Sequence, residues 1–179
     1  MVAGRRQRLV SRSRMCSHPR VEFHANATRL WKGLAPDERQ RAASVFFSEP
    51  PAELIGAAVA ALVKARHLRP QAARALPPDA QARILATVLD PGEPVAQGLL
   101  VGLHLADRRP LLRAFLDGLK LAHEDGILKE EADSGPPASE ADLRAAVAGL
   151  GAFPADQVRT YLNTLWLQDP ERWRALESL

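Results

Sequence analysis

Cysteine is almost missing from this chain. Cys16 stands alone among 179 residues, so no intramolecular disulfide can form, and the usage fits a reducing compartment, with the cytoplasm as the expected location. Aromatic and β-branched residues are also few, while Ala, Leu and Arg are abundant, a balance that favours helices over strands. No apolar run reaches the roughly 18 residues of a membrane span, so no membrane contact is expected. Several reactive signatures are missing too: a Gly-x-Ser-x-Gly elbow, a Walker-type phosphate loop, Gly-x-Gly-x-x-Gly, His-Glu-x-x-His and Glu-x-x-His. Cys16 lies outside any pocket a fold would form. No catalytic residue is assigned and no cofactor is expected.

What is present starts with charge. Residues 1–20 hold Arg5, Arg6, Arg8, Arg12, Arg14 and Arg20 and no acid. Taking these six from the 24 Lys and Arg leaves 18 basic against 21 acidic side chains, so the remainder is mildly acidic and the high pI belongs to the arm. Residues 1–21 have too few large apolar side chains to pack and are expected to be disordered. The twin arginine has no apolar segment behind it, which excludes an export or secretory signal. Three readings of the arm stay open: a solvated tail, including one that arises where Met15 or a later residue is the true start, an arm that meets a polyanion, and an organelle presequence. Residues 22–179 are long enough to bury about two-thirds of their unfolded surface as one domain without a metal or disulfide.

Within that domain, apolar residues recur at helical spacing. Pro94–Ala106 is apolar all round and is expected to be buried on every side, while Leu111–Asp125 shows one apolar face (Leu111, Leu112, Phe115, Leu116, Leu119) and is expected to be a helix stopped by Gly126. Asn26 and Ser139 have the character of helix N-caps, and Asp169-Pro170-Glu171 predicts a last short helix with Trp173 and Leu176. The segment 129–138 (KEEADSGPPA, from Lys129) is polar and broken by Gly and Pro, so it is expected to be a mobile loop. No strand is expected.

A motif also recurs. Leu34-Ala35-Pro36-Asp37 leads to Ala42, Ala43, Phe46 and Phe47. Leu76-Pro77-Pro78-Asp79 leads at matching offsets to Ile84, Leu85, Val88 and Leu89, and Phe153-Pro154-Ala155-Asp156 to Tyr161, Leu162, Leu165 and Trp166. Pro51-Ala52-Glu53 and Pro91-Gly92-Glu93 lie 40 residues apart, as do Arg69-Pro70 and Arg109-Pro110. Over residues 34–116 this layout resembles HEAT-like two-helix repeats of about 40 residues. The resemblance implies an all-α bundle of helical hairpins.

Candidate chemistry is sparse. His104 and Asp107 are spaced i, i+3 and, with His123, form a candidate metal set; helical metal-dependent phosphohydrolases gather such residues from several helices, but the His-Asp dipeptide of that family does not occur here. Two basic clusters, Lys64, Arg66 and Arg69 and then Arg108, Arg109 and Arg113, sit at hairpin ends and with the arm form a candidate nucleic-acid or polyanion surface. Gly98 and Gly102 stand four apart, where two helices can approach closely, and Trp31, Trp166 and Trp173 are expected to pack between the two ends of the fold. The repeated units carry core residues and helix starts but no shared reactive group, so the leading expectation is a non-enzymatic interaction module with a protein partner.

Overall fold

The computed structural model describes residues 26–129 and 138–179. The arm at 1–21 lies outside these residues, and so does the loop expected at 129–138, apart from its two end residues. Asn26 caps α1 (Ala27–Gly33), its Oδ1 accepting the Arg29 amide at 2.8 Å. Proline starts most of the later helices, because the first turn has no use for its missing amide and its φ is already helical. Pro36 opens α2 (Pro36–Ser48), Pro51 precedes α3 (Ala52–Arg66), Pro70 opens the short α4 (Pro70–Arg74) and Pro78 opens α5 (Pro78–Thr87). Pro94 and Pro110 lie in the first turns of α6 (Glu93–Asp107) and α7 (Arg109–Gly118). Ser139 caps α8 (Glu140–Gly149), its hydroxyl accepting the Asp142 amide at 3.2 Å, and Pro154 precedes α9 (Ala155–Gln168). The fold of the described residues is all-α apart from one two-stranded hairpin, and none of their helices is long and apolar enough to cross a membrane.

The helices bury two apolar clusters. The first joins Trp31, Phe46, Leu62, Leu85, Leu99, Leu100 and Leu103, and the second joins Leu111, Phe115, Leu143, Leu162, Trp173 and Leu176. In the first, α2 packs most extensively on α5 and α6. Glycine permits that approach: a Cβ on Gly98 would stand 2.7 Å from Leu54 Cδ1 and 3.3 Å from Phe46 Cε2, whereas one on Gly102 would meet Val45 Cγ1 at 3.5 Å. Trp31 Nε1 donates to the Val88 carbonyl at 2.8 Å and Arg39 Nε to the Ala86 carbonyl at 3.1 Å, so the open end of α5 is satisfied by side chains. Trp31 and Trp173 are buried, one in each cluster.

Three expectations need correction. The helix after Pro110 ends at Gly118, not at Asp125. Lys120 takes φ 56°, the Leu121 amide donates to the Leu116 carbonyl at 3.0 Å, and the Lys120 amide donates to the Asp117 carbonyl at 2.9 Å, which together close the helix in a Schellman motif. Second, Asp125-Gly126 is a hairpin turn and not a helix stop. β1 (His123–Glu124) pairs antiparallel with β2 (Ile127–Leu128), and Asp125 and Gly126 have φ of 49° and 87°, the two positive values that a tight two-residue turn requires. Third, Asp169 does accept the Arg172 amide, at 2.9 Å, but the chain then continues as a turn and a 3-10 segment, Arg174–Ser178, rather than an α-helix.

Gly126 is required twice, by its φ and by space, since a Cβ there would lie 2.8 Å from Leu112 Cβ. Gly126→Ala should therefore lower stability by about 1–3 kcal/mol, while Gly102→Ala, in ordinary contact, should raise it by up to about 1 kcal/mol. Urea midpoints of the two variants check this; an unchanged midpoint for Gly126→Ala would contradict the turn assignment.

Candidate functional site

The all-apolar helix α6 is not covered everywhere. Val101 and Leu105 stay half-buried because they face a cleft of about 500 Å³. Leu112 and Leu116 of α7 continue that wall, the hairpin residues Gly126, Ile127 and Leu128 form a second, and Tyr161, Thr164, Leu165 and Gln168 of α9 form the third. Asp169, Arg172 and Trp173 complete the lining from the C-terminal turn. Ile127 is 49 % exposed, an apolar side chain held out by the hairpin.

Two ionisable groups of the lining are held uncharged. His104 is 3 % exposed, and its Nε2 lies 3.1 Å from Thr164 Oγ1. The Thr164 hydroxyl gives its own proton to the Thr160 carbonyl at 2.8 Å, so toward His104 it can only accept. Nε2 therefore carries the imidazole proton, and Nδ1 is a buried lone pair with no partner among the described residues. Burial, assisted by the nearby Arg108 charge, lowers the His104 pKa to about 3. Tyr161 packs edge-on between His104 and Phe115, at 5.4 and 5.5 Å between centroids. Burial raises its phenol pKa, so the hydroxyl keeps its proton.

The candidate metal residues do not converge. His104 binds Thr164, the Asp107 carboxylate takes the Arg41 guanidinium, and His123 Nε2 lies 3.1 Å from Asp117 Oδ1 while its Nδ1 accepts the Gly126 amide at 3.3 Å. Among the described residues no group of three or more His, Cys, Asp or Glu side chains could hold a metal ion. The i, i+3 spacing brings His104 and Asp107 onto one helix, but one is buried and the other sits at the surface end.

The basic residues divide as well. Arg108 is only 4 % exposed and pairs with Glu38 at 2.6 Å, while Glu38 Oε2 also accepts the Ala35 amide at 3.2 Å, capping α2. Arg108 thus belongs to the interior and not to a polyanion surface. Arg109 donates to the Leu105 carbonyl at 2.7 Å and pairs with Asp125 at 3.1 Å, and Arg113 reaches the same carboxylate at 3.5 Å. Lys64, Arg66 and Arg69 are exposed, and no ion pair engages them among the described residues. Arg5, Arg6, Arg8, Arg12 and Arg14 lie outside the described residues.

Sequence reading missed Tyr161, Thr164 and the hairpin. The usable signals were the single tyrosine, whose polar hydroxyl stands in an otherwise apolar stripe, and Asp-Gly between short apolar runs. No family model, curated protein or solved structure matches the chain.

His104 and Glu38 each give a test. The depressed His104 pKa means that the unfolded chain gains a proton below its ordinary value of 6.5 while the folded one stays neutral until about 3. Stability is full above that ordinary value and falls with acidification, by about 1.4 kcal/mol per pH unit. Between pH 7 and pH 5 the wild type should lose about 2 kcal/mol more than His104→Gln, as read from urea unfolding. Glu38→Ala leaves the Arg108 charge buried without a counter-charge and should cost about 3 kcal/mol; a loss under about 1 kcal/mol would place that pair among surface ion pairs.

Proposed function

We propose that the chain is a non-enzymatic helical interaction module and that a protein partner inserts an apolar group into the cleft between α6, α7, the hairpin and α9. The observation that carries this is Ile127, nearly half exposed on the rim of a cleft whose lining includes Trp173. An apolar residue held out by a tight turn beside a concave, mixed apolar and polar wall has the anatomy of a binding site. The finer layout, two HEAT-like units of about 40 residues, belongs to the same proposal. It is supported by the shared Pro-Asp starts of α2 and α5 and by the packing of these two helices on each other. A cytoplasmic location fits the lone cysteine.

A second reading, polyanion binding by the Arg-rich arm with Lys64, Arg66 and Arg69, is favoured by the absence of ion pairs on those three residues among the described ones. It requires affinity for duplex DNA or RNA that falls steeply with salt.

The partner reading is tested by quantitative capture with the full chain as bait, wild type against Ile127→Asp. The variant should bind a captured partner about tenfold more weakly, the scale of losing one interface anchor. Equal binding by the two baits would reject the cleft as the contact surface.

A further inference from the structure

We infer that the group held in the cleft is an uncharged, largely apolar one that carries a hydrogen-bond acceptor, and that the Tyr161 hydroxyl is the residue that selects it. This rests on the binding role proposed above for the cleft. Tyr161 is 3 % exposed and lines the cleft, yet among the described residues no hydrogen bond engages its hydroxyl. The hydroxyl is not among the side-chain atoms sealed from solvent without a partner, and the space that the residue lines is the cleft, so an occupant there must replace the water this O–H can bond.

The hydroxyl stays protonated, so what it offers is a donor, which a carbonyl or amide oxygen would satisfy. An anion is disfavoured by the rest of the lining. Among the described lining residues His104 and Gln168 are neutral, Asp169 and Arg172 carry opposite charges, and the Arg172 guanidinium lies over the Trp173 ring at 5.5 Å. The described lining therefore carries no net charge, and a carboxylate held there would lose hydration without a surplus counter-charge from these residues. The cleft lining includes Leu112, Leu116, Leu128 and Trp173, so the body of the occupant is apolar. A hydrophobic side chain of the partner with the carbonyl of its own peptide bond has this chemistry.

The test uses Nile red, an uncharged apolar dye with a ring carbonyl, titrated into the full chain, with N-acetyl-L-phenylalaninamide and N-acetyl-L-phenylalanine as competitors. Saturable binding is expected, weakened at least tenfold by Ile127→Asp and about fivefold by Tyr161→Phe, the scale of one neutral hydrogen bond. Because no protein group holds the hydroxyl among the described residues, Tyr161→Phe should keep the wild-type urea midpoint. The amide should displace the dye at a concentration at least tenfold lower than the acid does. Dye binding that Ile127→Asp weakens but Tyr161→Phe leaves unchanged, or an acid that competes as well as the amide, would overturn this inference and leave the cleft as a binding site. Absence of saturable binding, or binding indifferent to Ile127→Asp, would overturn the cleft reading and this inference with it. The competitor pair needs only the wild-type chain, so the outcome does not depend on how the variants fold.

Discussion

The contact between α6 and α9 is where the two halves of this protein meet, and one hydrogen bond, His104 Nε2 to Thr164 Oγ1, crosses it. Each helix lends side chains to both apolar clusters. From α6, Leu99, Leu100 and Leu103 enter the first cluster and Leu105 packs on the second; from α9, Leu162 enters the second and Leu167 packs on the first. Gln97 adds a second crossing by donating to the Leu167 carbonyl at 3.1 Å. A polar bond between buried side chains contributes little net energy but fixes geometry, because any other arrangement leaves the groups unpaired. That constraint sets the imidazole tautomer, while burial and the nearby Arg108 charge keep the ring neutral.

The cleft follows from that seam. Val101 and Leu105 lie beside His104 on α6 and are left half-covered. The hairpin closes over α7 at the tip, where Gly126 comes nearest Leu112, and so supplies the wall that α7 alone does not. Rigid secondary elements thus surround a recess in which uncharged polar groups are interspersed with aliphatic ones, and this is the property on which a binding role depends.

Much of the helical scaffold was legible in the sequence, because its signals are local. Proline in or just before the first turn, Asn26 and Ser139 at N-caps, and apolar stripes at helical spacing all act within one helix. The Schellman closure at Lys120 was not legible, since lysine stands where glycine usually marks a left-handed residue. Asp125-Gly126 carries a hairpin signal, but the apolar stripe ahead of it favoured continuing the helix. The second copy of the repeated motif is used only in part. Leu85 is buried like Ala43, but α5 stops at Thr87, so Val88 and Leu89 fall past its end and Leu89 is 43 % exposed. For the site, sequence offered chemistry without placement. His104 was visible as a titratable residue on an apolar helix, but its partner is 60 residues away. Arg108 looked like its neighbours Arg109 and Arg113 until Glu38, 70 residues distant, was seen to pair with it.

Joined by the α6–α9 seam, the two apolar clusters should unfold as one cooperative body. This is tested most directly by urea unfolding of two variants, one retaining only Trp31 and the other only Trp173, with the remaining tryptophans replaced by Phe, each followed by tryptophan fluorescence and by far-ultraviolet circular dichroism. Trp31 reports on the first cluster and Trp173 on the second. Within each variant, the fluorescence midpoint is expected to coincide with that of the helical signal, as for a two-state domain. A cluster whose tryptophan signal is lost at a lower urea concentration than the bulk of the helix would show two separately stable halves that the seam does not couple.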